Sequence, residues 1–166
     1  MNIKNNKTLM METRIGINSV LGANIAELLS IFLADEFLLS LKTKNAHWNI
    51  EGYDFYEKHL LFEQQYKKLD EMVDDIAEYM RSLGHYAPAT MRDFIQLTHF
   101  TEQRDQVNNG NSYITELLAD HESIIIRSRE IDRVSNEFND AGFIDFVTSL
   151  IQTHQKMAWM LRAYLK

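Results

Sequence analysis

Two histidines stand twelve residues apart at His47 and His59, and two carboxylates follow at helical spacing, Asp74 and Glu78, with Glu63 between the sets. Imidazole nitrogen combined with carboxylate oxygen, in a chain without a single cysteine, is a donor set that suits iron. Zinc could occupy the same ligands in vitro, because donor type alone does not separate the two metals.

The element that must carry most of these residues runs over 54–83. Phe62, Tyr66, Leu69, Val73, Ile76, Met80 and Leu83 alternate by four and three residues, the pattern of one helix with an apolar stripe. At 100° per residue, His59, Glu63, Asp74 and Glu78 fall within an arc of roughly 100°, centred roughly 120° from that stripe. They share a face, and it is not the core face. His59 and Asp74 would lie about 22 Å apart along a straight helix, whereas ligands of one ion lie within a few Å of each other. They cannot hold one ion within one chain. A two-fold axis crossing the helix near Lys68 would lay a second copy antiparallel, bringing Asp74 and Glu78 of the partner subunit opposite His59 and Glu63. Such an isologous dimer makes two identical sites from one contact.

With 166 residues, 45% of them hydrophobic, and a single proline, one predominantly helical domain with a sizeable core is expected. The absence of cysteine excludes disulfides and thiolate metal sites and fits a reducing cytosol. The opening MNIKNNKTLMMETRIG lacks an apolar segment of signal-peptide length, and no 18-residue apolar span occurs, so a soluble cytoplasmic protein is expected. A net charge of −7 argues against a protein whose main task is coating DNA and suits the attraction of cations.

Taken in order, residues 1–14 read as a flexible polar arm and 15–166 as one domain. A long helix is expected from about Ile17, with Leu21, Ile25, Leu28, Phe32 and Leu39 on its apolar face, carrying His47 and Trp48 at its end before Gly52. The second helix should start at Asp54 as N-cap, with Glu57 completing an acidic capping box, and stop at Gly84. Pro88 and a capping Thr90 lead into a short helix over MRDFIQL, within a long crossover. Asn108 to Asn111 mark a loop, and the third helix is expected from about Ser112 to Phe138, with Ile114, Leu117, His121, Ile124 and Ile131 near one face. After a break at 139–142, the fourth carries Phe143, Phe146, Leu150, Met157, Leu161 and Tyr164. The fold class is therefore all-α: a four-helix bundle with a short helix in the crossover between the second and third helices.

The run NAHWNIEG, with His59 twelve residues after His47, then DDIAE bearing Asp74 and Glu78, resembles the Dps miniferritins, the DNA-binding proteins from starved cells, and the likeness continues to KMAWMLRAYL near the C-terminus. The resemblance implies a ferritin-like four-helix subunit, a dodecameric hollow shell, and ferroxidase centres shared across two-fold interfaces. It further implies that His47, His59, Asp74 and Glu78 bind ferrous iron, oxidised preferentially with hydrogen peroxide and stored as ferric oxyhydroxide, which protects DNA. By the same resemblance Trp48 lies beside the ferroxidase centre, where it intercepts radicals or simply packs an interface. Asp145 lines a three-fold pore for ferrous ions, with Asp140 a weaker candidate, since carboxylates at a helix start are also favoured by the helix dipole. Glu63 stays open between ligand, nucleation carboxylate on the inner surface, and acceptor behind the ligands.

Bland readings apply elsewhere. His121 and His154 fall on apolar stripes and are expected as hydrogen-bonded core histidines, and His85 and His99 carry no assigned function. No Glu-x-x-His pair occurs, which disfavours a di-iron centre inside one bundle. Two competing functions remain: a cage that condenses the nucleoid, for which the short tail offers only Lys4 and Lys7, and a shell or adhesin that has lost its chemistry.

Overall fold

The side chain of Asn18 accepts the amide of Leu21 at 2.8 Å and so opens α1 (Ser19–Asn49), two residues later than the apolar pattern predicts. The computed structural model describes residues 13–102, 109–135 and 140–166. Most of the expected arm, with Lys4 and Lys7, lies outside these residues, as do Asn108, Phe138 and Asn139. Four further helices follow: α2 (Phe55–Ser82), the short α3 (Met91–Leu97) in the crossover, α4 (Gly110–Ser135) and α5 (Ala141–Ala163). No strand occurs among the described residues, and no helix there is long and apolar enough to cross a membrane.

Helix α1 packs along α2 and also meets α3 and α4, while α4 pairs with α5. This central position explains why α1 buries residues on most of its circumference, from Ile25, Leu29 and Phe32 to Leu33, Leu39 and Ala46. Leu28, expected in the core, is half-buried, and its neighbour Leu29 takes the inward position. On α2 the predicted stripe is inward at Phe62, Leu69, Ile76 and Met80, with Tyr66 and Val73 half-buried. Tyr164, expected on the fourth helix's apolar face, is exposed just past the end of α5.

Helix α2 starts where expected, with Asp54 at its N-cap position, but the expected capping bond is absent, and α4 starts earlier than expected. Asp54 precedes α2 but makes no capping bond; its carboxylate holds Lys58 Nζ at 2.6 Å instead. Lys58 is only 4% exposed, and an unpaired buried ammonium costs more than an uncapped amide. Helix α4 begins at Gly110 rather than Ser112, because Asn109 Oδ1 accepts the amide of Asn111 at 2.9 Å and acts as the cap.

The crossover is closed by expected and unexpected devices. Gly84, at φ 89°, turns the chain out of α2, and Thr90 Oγ1 accepts the amide of Asp93 at 3.2 Å to start α3. Buried Asp35 of α1 then gathers the far end: it accepts from Thr98 Oγ1 at 2.8 Å and the His99 amide at 2.7 Å, and pairs with Arg127 of α4 at 2.8 Å. That carboxylate fixes where the crossover lands.

A Cβ at Gly110 would meet Lys58 Nζ at 2.6 Å, Lys58 Cδ at 2.9 Å and Ile50 Cδ1 at 3.0 Å. Lys58 cannot retreat without loosening its pairing with Asp54. Gly110→Ala should therefore destabilise each chain by about 1–3 kcal/mol, as overpacking does. Denaturant unfolding at fixed protein concentration checks this; a midpoint unchanged from wild type would show that the α1–α2 corner yields freely.

Candidate metal centre

His47 lies in the last turn of α1 and His59 in the second turn of α2. The chain reverses between them through Gly52, whose φ of 124° is strained for any residue with a Cβ. This corner sets the imidazole rings face to face, with centroids 3.8 Å apart and planes 22° from parallel. His47 Nδ1 donates to the carbonyl of His59 at 2.9 Å, and His59 Nδ1 donates to the carbonyl of His47 at 2.8 Å. A carbonyl oxygen only accepts, so each Nδ1 carries a proton, and in its neutral form each ring would have its lone pair on Nε2. The backbone thereby selects the tautomer whose Nε2 could hold a metal.

Several side chains frame the pair. Tyr66 presents its ring edge-on to His47 at 5.2 Å, and Phe55 lies 4.9 Å from His59. Lys44 Nζ stands over the Tyr66 ring at 5.4 Å and pairs with Asp70 at 2.8 Å. Glu63, one turn beyond His59, accepts from Lys67 Nζ at 2.6 Å. The Lys67 hydrogen bond, then its charge, hold the Glu63 carboxyl below the usual carboxylate range, and His47 and His59 add smaller pulls in the same direction. Glu63 thus answers chiefly to Lys67 and only weakly to the histidine pair. Trp48 is 66% exposed, and Tyr53 and Tyr56 are exposed beside it, so the corner presents an aromatic rim to its surroundings.

Asp74 and Glu78 sit far along the same helix. Both are exposed, and among the described residues neither has a hydrogen-bond or ion-pair partner. Because α2 is one uninterrupted helix, the separation of about 22 Å between His59 and Asp74 holds. Among the described residues, no three His, Asp or Glu side chains converge within one chain to hold an ion. One subunit therefore carries two separated half-sets, imidazole at one end of α2 and carboxylate at the other.

The remaining candidates divide. Asp140 caps α5, its Oδ1 accepting the amide of Phe143 at 3.0 Å, so a structural duty accounts for its carboxylate. Asp145 is exposed on the second turn of α5 without a partner among the described residues. His121 and His154 are buried and bonded to each other, as expected, but the row they form ends on Glu36 of α1, which the sequence reading did not single out. Its signal was present: Asp35 and Glu36 interrupt an otherwise apolar run, Ile31 to Leu39. Tyr66 was read as core alone; its place seven residues after His59, two turns on along the same helix, was the available clue.

Residues 26–166 match the ferritin-like domain family. A low temperature-induced protein of Nostoc is 38% identical over 158 residues, 95% of this chain and 88% of the relative. The DNA protection during starvation protein of Helicobacter pylori is 30% identical over 139 residues, 84% of this chain and 96% of the relative. Among solved structures, a Dps protein from Vibrio cholerae, described as a member of a broad superfamily of ferritin-like diiron-carboxylate proteins, superposes with a TM-score of 0.88 at 27% identity, covering 95% of this chain and 98% of that one. Fold, sequence identity and near-complete mutual coverage agree, and the chain belongs to the Dps miniferritins of the ferritin-like family.

Proposed function

We propose that this protein assembles into a dodecameric cage that oxidises ferrous iron, with hydrogen peroxide in preference to oxygen, at centres shared between two-fold-related subunits. The ferric product is stored inside as oxyhydroxide. The family's general role is iron storage and DNA protection, and removing ferrous iron together with peroxide protects DNA without requiring the protein to bind it. The observation that carries the reading is the reciprocal clasp of His47 and His59, which occupies both Nδ1 atoms with backbone carbonyls, stacks the two rings and leaves their Nε2 atoms for a metal. The unpartnered carboxylates of Asp74 and Glu78 supply what the clasp lacks, once a two-fold axis near Lys68 brings them across from the partner subunit.

Iron is the substrate. Ferrous ions take Nε2 of His47 and His59 and carboxylate oxygen from Asp74 and Glu78 of the partner subunit, with Glu63 free to swing from Lys67 onto the metal. Two ferrous ions give one electron each to peroxide; its O–O bond breaks and, with two protons, it leaves as two water molecules. Pairing the electrons avoids releasing hydroxyl radical. Trp48, the exposed residue next to His47 in the chain, gives up an electron in place of DNA when only one ferrous ion is bound, its exposure supporting that role. Few ligands and open coordination positions make a weak site for resting iron and an accessible one for oxidant. An acidic mouth built on Asp145 concentrates ferrous ions at the pore, while Asp140 is occupied by its cap.

Anaerobic loading with ferrous iron followed by a peroxide pulse tests this directly. Wild type should oxidise fast and retain iron, and Asp74→Ala and His59→Ala should each lose both. Co-assembled in equal amounts, the two variants should regain about a quarter of the wild-type sites, because half the dimers are mixed and each mixed dimer restores one of its two sites. Variants that oxidise like wild type, or mixtures that never recover, would sink the shared centre.

A second outcome concerns entry. Asp145→Asn should slow iron oxidation several-fold at low ferrous concentration and low ionic strength, with the difference shrinking as salt screens the pore. Stopped-flow traces at two salt concentrations check it; an equal rate in both proteins at low salt would remove Asp145 from the path.

A further inference from the structure

Inside the bundle, away from the iron ligands, three titratable side chains stand in a row. Glu36 of α1, His121 of α4 and His154 of α5 are each 0% exposed. His154 Nε2 meets Glu36 Oε1 at 2.6 Å, and the Nδ1 atoms of His154 and His121 meet at 2.8 Å. Each contact requires one shared proton, because two bare lone pairs repel and so do two N–H groups. The arrangement is linear, with Glu36 and His121 on opposite nitrogens of the His154 ring, so the three do not converge on one point as metal ligands would.

Counting protons decides what the row can tolerate. With only the two bridging protons it is a carboxylate and two neutral imidazoles, an uncompensated negative charge in a dry core. A third proton neutralises it: His154 becomes an imidazolium that donates Nε2–H to Glu36 and Nδ1–H to His121, whose own proton then sits on Nε2. A fourth, on His121 or on Glu36, would leave the row with a net positive charge. Glu36 Oε2 and His121 Nε2 close the two ends of the row, buried and without partners.

Among the described residues, the charged groups near the row are paired elsewhere. On α1, Asp35 is turned to Thr98, His99 and Arg127. On α4, Asp120 pairs with Lys42 at 2.5 Å, Glu122 pairs with Arg162 of α5, and Ser128 is uncharged. From α2 the buried polar groups are Lys58, held by Asp54, and Gln65, an uncharged amide on the Met157 carbonyl at 3.4 Å. Burial first, and His154 second, hold His121 well below the ordinary imidazole range.

We propose that the Glu36–His154–His121 row is an acid-sensitive latch: it ties α1, α4 and α5 together while it holds three protons and destabilises their packing when the solution imposes a fourth. The sign follows from the two states. An unfolded histidine titrates near 6.5, so below about pH 6 the unfolded chain carries both imidazoles charged, about one proton more than the folded row. By this count the folded row and the unfolded chain hold equal numbers of protons near pH 6.5, where the latch contributes most; as pH falls from there towards the lower folded value of His121 the contribution is lost, with the folding equilibrium dropping up to about tenfold per pH unit from this row.

Acid unfolding of the full-length assembled protein, followed by circular dichroism, compares wild type with the variant Glu36→Leu/His121→Leu/His154→Leu, since buried ionic groups are often replaceable by apolar ones. The variant should hold its helices to a midpoint about one pH unit lower, with about one proton fewer taken up on unfolding. Equal midpoints and equal proton uptake would overturn the latch. A nuclear magnetic resonance titration of histidine C2–H signals in wild type decides the matter even if the variant fails to fold. His121 should stay neutral until the bundle opens, and titration near its ordinary value in an intact bundle would overturn the proposal.

Discussion

A straight helix keeps apart what it carries. Helix α2 runs 28 residues without a break, about 42 Å at 1.5 Å per residue, and that stiffness separates imidazole at one end from carboxylate at the other. No side-chain rotation spans such a distance. The chemistry proposed for this chain therefore depends on a second α2 lying antiparallel across the first. The exposed aromatic rim of Trp48, Tyr53 and Tyr56 beside the histidine clasp fits the same arrangement, because an apolar edge of this kind is a natural contact surface.

Within the subunit, position is fixed by buried charges as much as by apolar packing. Adjacent carboxylates on α1 face different ways: Asp35 gathers the end of the crossover and Arg127, while Glu36 turns inward to His154. Lys42 reaches Glu116 at 2.7 Å and Asp120 at 2.5 Å, binding α1 to α4, and burial raises the Asp120 carboxyl while the Lys42 ammonium opposes that shift. Lys58 locks the α1–α2 corner beside His59 and lies over the ring of Tyr164 at 5.9 Å, so Tyr164 helps to hold the histidine end of α2. Apolar contacts tolerate sliding by a fraction of a turn. Paired buried charges do not, since a mispaired one bears its full desolvation cost.

Much of this was legible in order along the chain. The alternation from Phe62 to Met80 predicted the inward face of α2, and Gly84 and Thr90 marked the end of one helix and the start of another. Where local reading failed, a distant residue had changed the local choice. Asp54 has the type and place of an N-cap, yet it pairs with Lys58, whose burial depends on Ile50, Gly110 and Tyr164 around it. Asn109 replaced the expected loop with a helix start, a local effect that the run of three asparagines around Gly110 left ambiguous.

The sequence by itself determined the helices and the separation of the histidines from Asp74 and Glu78 along α2, because both follow from periodicity and the fixed rise of a helix. The tertiary structure alone decided the details that need two elements at once. It set His47 and His59 into a mutual bond that selects their tautomer, and it put Tyr66 at the edge of His47. It also closed His154 onto Glu36, 118 residues away in the chain, with His121 bonded behind it. Hydrogen bonds and proton sharing act over about 3 Å, and only packing brings such residues that close.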